Sequence, residues 1–145
     1  MRKFLILVLF MNFVVIAQAQ DIPKKANVIV VKGVSFDEVT NQLLDKGYFI
    51  DKTDASLHLI TTKETTCRKD KGTFVTYMIR IKDSSAIIKG TCTNHVGYTI
   101  SGVIINAENY EIVNKGGNIG ILKIAFHDMN NLALSFNKPV EYSIQ

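Results

Sequence analysis

The sequence predicts an α+β domain built on one antiparallel sheet of about five to six strands, in the order β-α-β-β-β-β-β-α. Apolar residues alternate through 73–93, as in a hairpin with one buried face. They recur at three- and four-residue spacing over 36–46 and again over 122–136, which is typical of a short and a longer amphipathic helix. We expect both helices to pack on one face of the sheet, in a helix-grip-like arrangement.

The composition is that of one globular domain. Of the 145 residues, 47% are hydrophobic and 21% are charged, and the chain contains 9 Gly, 2 Pro and 2 Cys. These values argue against a disordered chain, a collagen-like repeat and a disulfide-dense miniprotein. The sequence has no internal repeat and no linker that would divide it further.

The first 19 residues have the three parts of a secretory signal peptide. Two cations, Arg2 and Lys3, precede the apolar run 4–16, which ends in Ala17-Gln18-Ala19. An apolar helix of that length would cover about 20 Å of a roughly 30 Å hydrocarbon core, which is too short for a membrane anchor. We expect cleavage near Ala19, a mature domain over 20–145 with no transmembrane segment, and a periplasmic or secreted location.

Removal of the leader changes the charge balance. The full chain has 17 basic and 13 acidic residues, and two of the basic residues leave with the leader. The remaining excess of two positive charges is small. We therefore expect no nucleic-acid binding.

The first strand and helix are marked by local signals. Val28–Val31 is a short β-branched run that ends before Gly33. Ser35 and Glu38 fit a capping box, and Gly47 supplies a left-handed stop after a helix over about 36–46.

Two short strands, 48–50 and 56–62, should follow as a hairpin. The polar residues 51–54 fit the turn between them. Alternation in the second strand places His58 on the face opposite Leu57 and Leu59, so that both leucines point inward.

The hairpin of Thr73–Lys82 and Ala86–Thr93 is the best-specified element of the sequence. A turn at Asp83-Ser84 that sets Lys82 opposite Ser85 gives pairs whose numbers always sum to 167. One face then carries only Gly, Ala, Cys and larger apolar residues, whereas a slip by one residue would place Arg80 inside.

The C-terminal third is specified less evenly. Residues 94–97 fit a turn, and 98–105 predicts one strand interrupted at Gly102. Residues 106–117 give no clear pattern. Asn118 fits the cap of the second helix, which must end before Pro139, and residues 140–145 fit either an edge strand or a tail.

Two cysteines in an exported chain suggest a disulfide between Cys67 and Cys92. If their strands flank 73–82 on opposite sides, their backbones stand about 9.6 Å apart, beyond the roughly 7 Å that a disulfide spans. The bridge would then require Cys67 to leave its strand. Two free buried thiols are the alternative.

The sequence contains no recognisable catalytic or metal-binding arrangement. The three histidines, His58, His95 and His127, lack metal-ligand spacing, and His95 should diverge from Cys92. The glycine-rich stretch 116–120 matches no phosphate-binding motif, and we interpret it as a helix entry. We interpret the basic cluster of Arg68, Lys69 and Lys71 as a solvated loop, and we expect no metal and no cofactor.

A family resemblance lies in the opening strand 26–31, in Ser35-Phe36-Asp37-Glu38, in 43–50 and in Leu59-Ile60-Thr61-Thr62. These segments resemble small envelope proteins of Gram-negative bacteria, which in turn look like domains of the outer-membrane barrel-assembly lipoprotein C family. The resemblance covers about residues 26–136, and it implies a fold and a compartment rather than a chemistry. The chain departs from the lipoprotein pattern because it has no Cys near the cleavage site.

These observations favour a non-enzymatic exported module that binds an envelope protein or a cell-surface component. The alternative is a carrier of a small apolar ligand, held between the sheet and the C-terminal helix. Gly90 motivates that alternative because it lies opposite Tyr77 and would leave room over the sheet.

Overall fold

The computed structural model describes residues 21–94, 99–100, 103–104, 108–118 and 120–145. The predicted leader and its cleavage point lie outside these residues, as does His95. The described elements, in chain order, are β1 (Val28–Lys32), α1 (Phe36–Asp45), β2 (Ile50–Asp54), β3 (Leu59–Thr62), β4 (Thr65–Thr66), β5 (Thr73–Lys82), β6 (Ser85–Asn94), β7 (Thr99–Ile100), β8 (Val103–Ile104), β9 (Tyr110–Glu111), α2 (Ile121–Leu134) and β10 (Val140–Ser143).

The architecture is α+β, as predicted, with an antiparallel sheet and both helices on one face. The main path of the sheet runs β10-β1-β6-β5-β3-β2, while β4 pairs with β5 and β9 pairs with β6. Among the described residues this sheet has eight strands rather than five or six, because β4 and β9 are two-residue strands too short to give a sequence signal and residues 140–143 form an edge strand.

The β5–β6 hairpin has the predicted register at every pair, from Lys82 opposite Ser85 to Phe74 opposite Thr93. Asp83 and Ser84 both have positive φ, 49° and 52°, which is the backbone of a two-residue type I′ turn. The two-residue turn sets this register, and burial of the apolar face of the hairpin stabilises it.

The inner face of the sheet, which we define as the face that carries the helices, forms one apolar core with them. Val75, Tyr77 and Ile79 of β5 join Ile88 of β6 and Met129 of α2 in this core, and all five are fully or almost fully buried. We call the opposite face the outer face. Thr76, Met78 and Arg80 of β5 lie on it and are not part of the core.

The entry to the first helix is as predicted, whereas the entry to the second helix is not. The Ser35 hydroxyl accepts a hydrogen bond from the Glu38 amide at 3.1 Å, as a cap requires, and Gly47 has φ +80° at the far end. The second helix is instead capped by Gly120, without a side-chain hydrogen bond, so the predicted Asn118 cap is wrong.

The β2–β3 hairpin turns later than predicted. Residues 51–54 belong to strand β2, and the turn is formed by residues 55–58. The Asp54 carboxylate accepts from the amides of Ser56 and Leu57 and thereby closes that turn. Polar residues are tolerated in β2 because it is an exposed edge strand.

This shift reverses the predicted faces of β3. Leu59 pairs with Arg80 on the outer face, and Ile60 is the buried residue. Farther along, the described parts of 98–105 are two paired strands, β7 and β8, rather than one strand.

Candidate functional site

The most distinctive polar arrangement among the described residues centres on Asp128 of α2, which is only 5% exposed. Its Oδ2 accepts hydrogen bonds from the hydroxyls of Tyr48 at 2.6 Å and Tyr77 at 2.8 Å. Its Oδ1 accepts a long hydrogen bond of 3.4 Å from the backbone N–H of Arg68. We call Asp128, Tyr48 and Tyr77 the tyrosine–aspartate cluster.

Each member of the cluster is positioned by its own element. Tyr48 follows the left-handed Gly47, and its N–H bonds to Leu43 O at the end of α1. Tyr77 points inward from the middle of β5, and the two phenol rings meet edge to face with centroids 5.3 Å apart. Asp128 therefore joins α2 both to the central sheet and to the segment after α1.

Burial shifts the ionisation of both phenols. The pKa of Tyr77 is raised well above its usual value, first by burial and then by the nearby Tyr48 and Asp128. The pKa of Tyr48 is also raised, first by burial and then by its hydrogen bond to Asp128. Both hydroxyls therefore stay protonated near neutral pH and serve as donors to the carboxylate.

The cavity beside the cluster is small. It holds about 50 Å³ and is lined by Lys46, Tyr48, Arg68, Asp128, Asn131, Leu132 and Ser135. The Arg68 guanidinium donates through Nη2 to Lys46 O at 2.9 Å, which ties down one wall. A volume of this size admits one or two water molecules and is far below the roughly 300 Å³ of a small ligand site. The geometry suits a structural anchor.

Sequence reasoning missed this cluster, although a signal was present. Asp128 lies on the same helical stripe as Ala125, Met129 and Leu132, and all three of those residues are buried. A carboxylate on an apolar stripe becomes buried when the helix packs against the sheet, and a buried carboxylate must be hydrogen-bonded. The pattern therefore predicts hydrogen-bond donors on the elements that face the helix. His127, the neighbour that the sequence singled out, is only partly buried and takes no part in the cluster.

Cys67 and Cys92 are both free and buried, so the suggested disulfide is not formed. Cys92 lies opposite Val75 on β6, and the Cys67 amide bonds to Thr73 O on the other side of β5. Because β5 lies between them, the two backbones are separated by about two strand spacings, more than a disulfide can span. Burial raises the pKa of the Cys67 thiol to about 12 and that of Cys92 to about 11, so neither is an activated nucleophile.

The remaining sequence candidates do not converge. His58 is exposed in the β2–β3 turn rather than in a strand. The glycine-rich stretch leads into α2 at the N-cap Gly120, where no side-chain hydrogen bond caps the helix. Arg68, Lys69 and Lys71 are exposed, as a solvated loop predicts, but the Arg68 guanidinium bonds to Lys46 O beside the small cavity. No group of three or more possible metal ligands occurs within the described residues.

Gly90 does not leave open space over the sheet. A methyl group at this position would lie 2.8 Å from Tyr77 Cδ1, 2.8 Å from Ile112 Cδ1 and 2.9 Å from Thr76 O. Tyr77 and Ile112 are fully buried and fill the volume that a side chain would otherwise occupy. The glycine is required by close packing, not by a ligand.

Two larger depressions are found elsewhere on the surface. The first, which we call the face groove, lies on the outer face, holds about 220 Å³ and is lined by Thr61, Thr76, Tyr77, Met78, Lys89, Gly90, Thr91 and Glu111. The second, the end groove, holds about 470 Å³ and is lined by Phe36, Ser56, Leu57, His58, Arg80, Ile81, Lys82 and Asp83. Met78, Arg80 and Lys82 alternate along β5 and connect the two grooves.

Comparison with models of known protein families gives no match, and no curated protein matches the chain. Within the described parts of the chain, neither helix has both the length and the apolar character needed to cross a bilayer. The site must therefore be interpreted from its geometry alone.

Proposed function

We propose that this protein is an exported, non-enzymatic module that binds a partner protein or another component of the cell envelope through the outer face of its sheet. The observation that carries the proposal is the exposure of this face at Met78. The side chain of Met78 lies in the middle of the central strand β5 and is still 51% exposed, while the helices cover the other face. Leu59 and Ile87 flank Arg80 on the same face and are only partly buried, so Met78 belongs to an apolar patch, and such patches mark contact surfaces.

The surroundings of Met78 suit a macromolecular partner. On one side the face groove offers an apolar floor between threonines. On the other side the end groove exposes Leu57, next to Phe36 and Ile81, which pack against the core at the end of the sheet. Three cations stand along this surface, Arg80, Lys82 and Lys89, and none forms an ion pair within the described parts of the chain. A partner with apolar side chains and acidic groups would complement it.

The state of the buried polar groups supports a binding role over an enzymatic one. Asp128 is occupied by two phenol donors, and the cavity beside it has no room for a substrate. Both thiols are buried and have raised pKa values. Catalysis by these groups would require both access and activation.

Export is proposed from the leader-like pattern of residues 1–19, and association with the envelope from the resemblance of segments in 26–62 to Gram-negative envelope proteins. The alternative role, a carrier of an apolar ligand between the sheet and α2, gains no support. The position that motivated it, Gly90, is covered by two buried side chains.

The test compares partners recovered from the native envelope. The full chain, tagged and expressed in its own host, is isolated as the wild type, as Met78→Glu and as Leu134→Glu, and co-isolated components are quantified by mass spectrometry. Leu134 is a matched control because it is 50% exposed but lies on α2. We expect a component that is lost with Met78→Glu and retained with Leu134→Glu.

Circular dichroism and thermal melting establish that both variants are folded. The proposal fails if the two variants recover the same components as the wild type, or if both lose them equally. Either result would mean that the outer face is not the contact surface.

A further inference from the structure

The second edge of the sheet offers a different interaction, which is independent of the outer face. Strand β10 is the last strand in the sheet order, and among the described strands only β1 pairs with it. A sheet edge presents backbone N–H and C=O groups that another strand can bind.

The hydrogen bonds between β10 and the neighbouring strand β1 show which backbone groups of β10 face the open edge. Pro139 O accepts from Lys32 N at 2.9 Å, and Ser143 O accepts from Asn27 N at 3.1 Å, so the odd-numbered residues point their backbone groups toward β1. Successive residues of a strand point to opposite edges. The N–H and C=O groups of Val140, Tyr142 and Ile144 therefore face outward.

The side chain of Asn27 extends this edge beyond β10 itself. Its Nδ2 donates to Gln145 O at 2.9 Å, and its Oδ1 accepts from Gln145 N at 2.9 Å. This reciprocal pair imitates the bonds of a neighbouring strand and holds Ile144 in line with β10. Ile144 is 59% exposed, so the edge ends in an unpacked apolar side chain.

The opposite edge, β2, lacks these properties. Its pairing with β3 shifts in register between Ile50 and Lys52, and its exposed residues include Asp51, Lys52 and Asp54. Bulges and charges of this kind protect an edge from pairing. The register of β10 with β1 is continuous over all four pairs.

We propose that β10 pairs with β10 of a second copy of this chain, antiparallel and around a two-fold axis at Tyr142. Val140 then lies opposite Ile144 of the partner subunit, and Glu141 lies opposite Ser143 of the partner subunit. All outward-facing N–H and C=O groups of the edge become paired, and the exposed Ile144 packs against an apolar neighbour.

Face and charge disfavour two of the neighbouring registers. A shift by one residue would set inner-face residues opposite outer-face residues. A shift by two, toward the chain start, would set Glu141 against Glu141 of the partner subunit. In the proposed register the Glu141 carboxylate keeps its ion pair with Lys32 Nζ, at 3.2 Å, on the neighbouring strand.

The size of the contact determines how tight the pairing is. A short strand edge buries well under the roughly 800 Å² per partner of a stable interface. The dimer is therefore expected to be weak, and it becomes populated at about 0.1 to 1 mM protein. In the cell it would form where the protein is concentrated.

Sedimentation equilibrium over this range tests the proposal on the exported chain. The wild type is expected to approach dimer mass, and Ile144→Pro is expected to raise the dissociation constant roughly tenfold or more, because it removes an outward N–H from each copy. That N–H does not take part in the pairing with β1. Ile144→Lys should weaken the dimer as well, whereas Leu44→Lys, a matched control that is 49% exposed on α1, should not.

A second measurement tests the register. Glu141→Cys combined with Ser143→Cys places cysteines opposite each other at a pair without hydrogen bonds, where Cα atoms are about 4.5 Å apart, so mild oxidation should yield a disulfide-linked dimer. A wild type that remains monomeric at about 1 mM overturns the proposal. A dimer that persists unchanged in Ile144→Pro also overturns it, as does a dimer that Leu44→Lys weakens equally.

Discussion

Replacing Asp128 by alanine tests whether the tyrosine–aspartate cluster is the main polar anchor of the fold. The change removes the acceptor of two buried hydroxyls, those of Tyr48 and Tyr77. An unsatisfied buried donor costs about 1 to 3 kcal/mol, so the two together would cost about 2 to 6 kcal/mol. The adjoining cavity of about 50 Å³ lets water replace part of the lost hydrogen bonding. We therefore expect a cost in the lower half of this range, about 2 to 4 kcal/mol.

Urea unfolding followed by far-ultraviolet circular dichroism measures this change, since the chain has no tryptophan. Asp128→Asn keeps one acceptor oxygen and should cost less than Asp128→Ala. His127→Ala, the partly buried neighbour on α2, is the matched control and should change the free energy of unfolding by about 0.5 kcal/mol or less.

A double-mutant cycle separates the hydrogen bonds from general packing. Tyr77→Phe should cost about 1 kcal/mol or more in the wild type. In the Asp128→Ala background it should cost much less, because it then removes a hydroxyl that has lost its acceptor. The cluster is not the main polar anchor if Asp128→Ala costs under about 1 kcal/mol, or if Tyr77→Phe costs the same in both backgrounds.

Two further predictions concern packing and pH. Gly90→Ala should lower the free energy of unfolding by about 1 to 3 kcal/mol, because the new methyl group meets atoms at 2.8 to 2.9 Å, whereas Gly117→Ala, with nothing within 4 Å, should be nearly neutral in the same urea titration. Stability should also fall at alkaline pH, because burial raises the pKa of Cys67 from 9.0 to about 12 and raises that of Tyr77 above 10.0. Each such group stabilises the fold fully below its unfolded pKa, and its contribution is lost at about 1.4 kcal/mol per pH unit as the pH rises from there toward the folded pKa.

Thermal melting at a series of pH values measures the alkaline effect. The midpoint should fall from about pH 9 upward, and phenolate absorbance should show the buried tyrosines ionising only as the protein unfolds. Equal midpoints at pH 8 and pH 11 would contradict the raised pKa values.

Local rules predicted the centre of this fold well. The register of β5 with β6 follows from a two-residue turn together with one apolar face, and both are written in residues 73–94. The cap at Ser35 and the stop at Gly47 likewise depend only on neighbours in sequence.

Sequence-based prediction failed for segments whose secondary structure depends on their position in the tertiary fold. Asp51–Asp54 looks like a turn because it is polar, but an edge strand exposed to water tolerates the same residues. The strands β4 and β9 are two residues long and exist only because β5 and β6 extend beside them.

The candidate site was harder to predict than the fold. Tyr48, Tyr77 and Asp128 are far apart in the sequence and carry no motif. Only the folded sheet brings them together. The outer face is a similar case, since its exposure depends on the placement of both helices on the opposite side.

The central position of the β5–β6 hairpin has a consequence for how the chain folds. The hairpin is closed by adjacent residues and can form within microseconds, whereas β1 must bring Val28–Lys32 to Ser85–Ile88 from more than 50 residues upstream. Until β1 pairs with β6 and β3 pairs with β5, both edges of the newly formed hairpin carry unpaired backbone groups that other unfolded chains can bind. We therefore expect the protein to be most prone to aggregation between formation of the hairpin and pairing of β1 with β6.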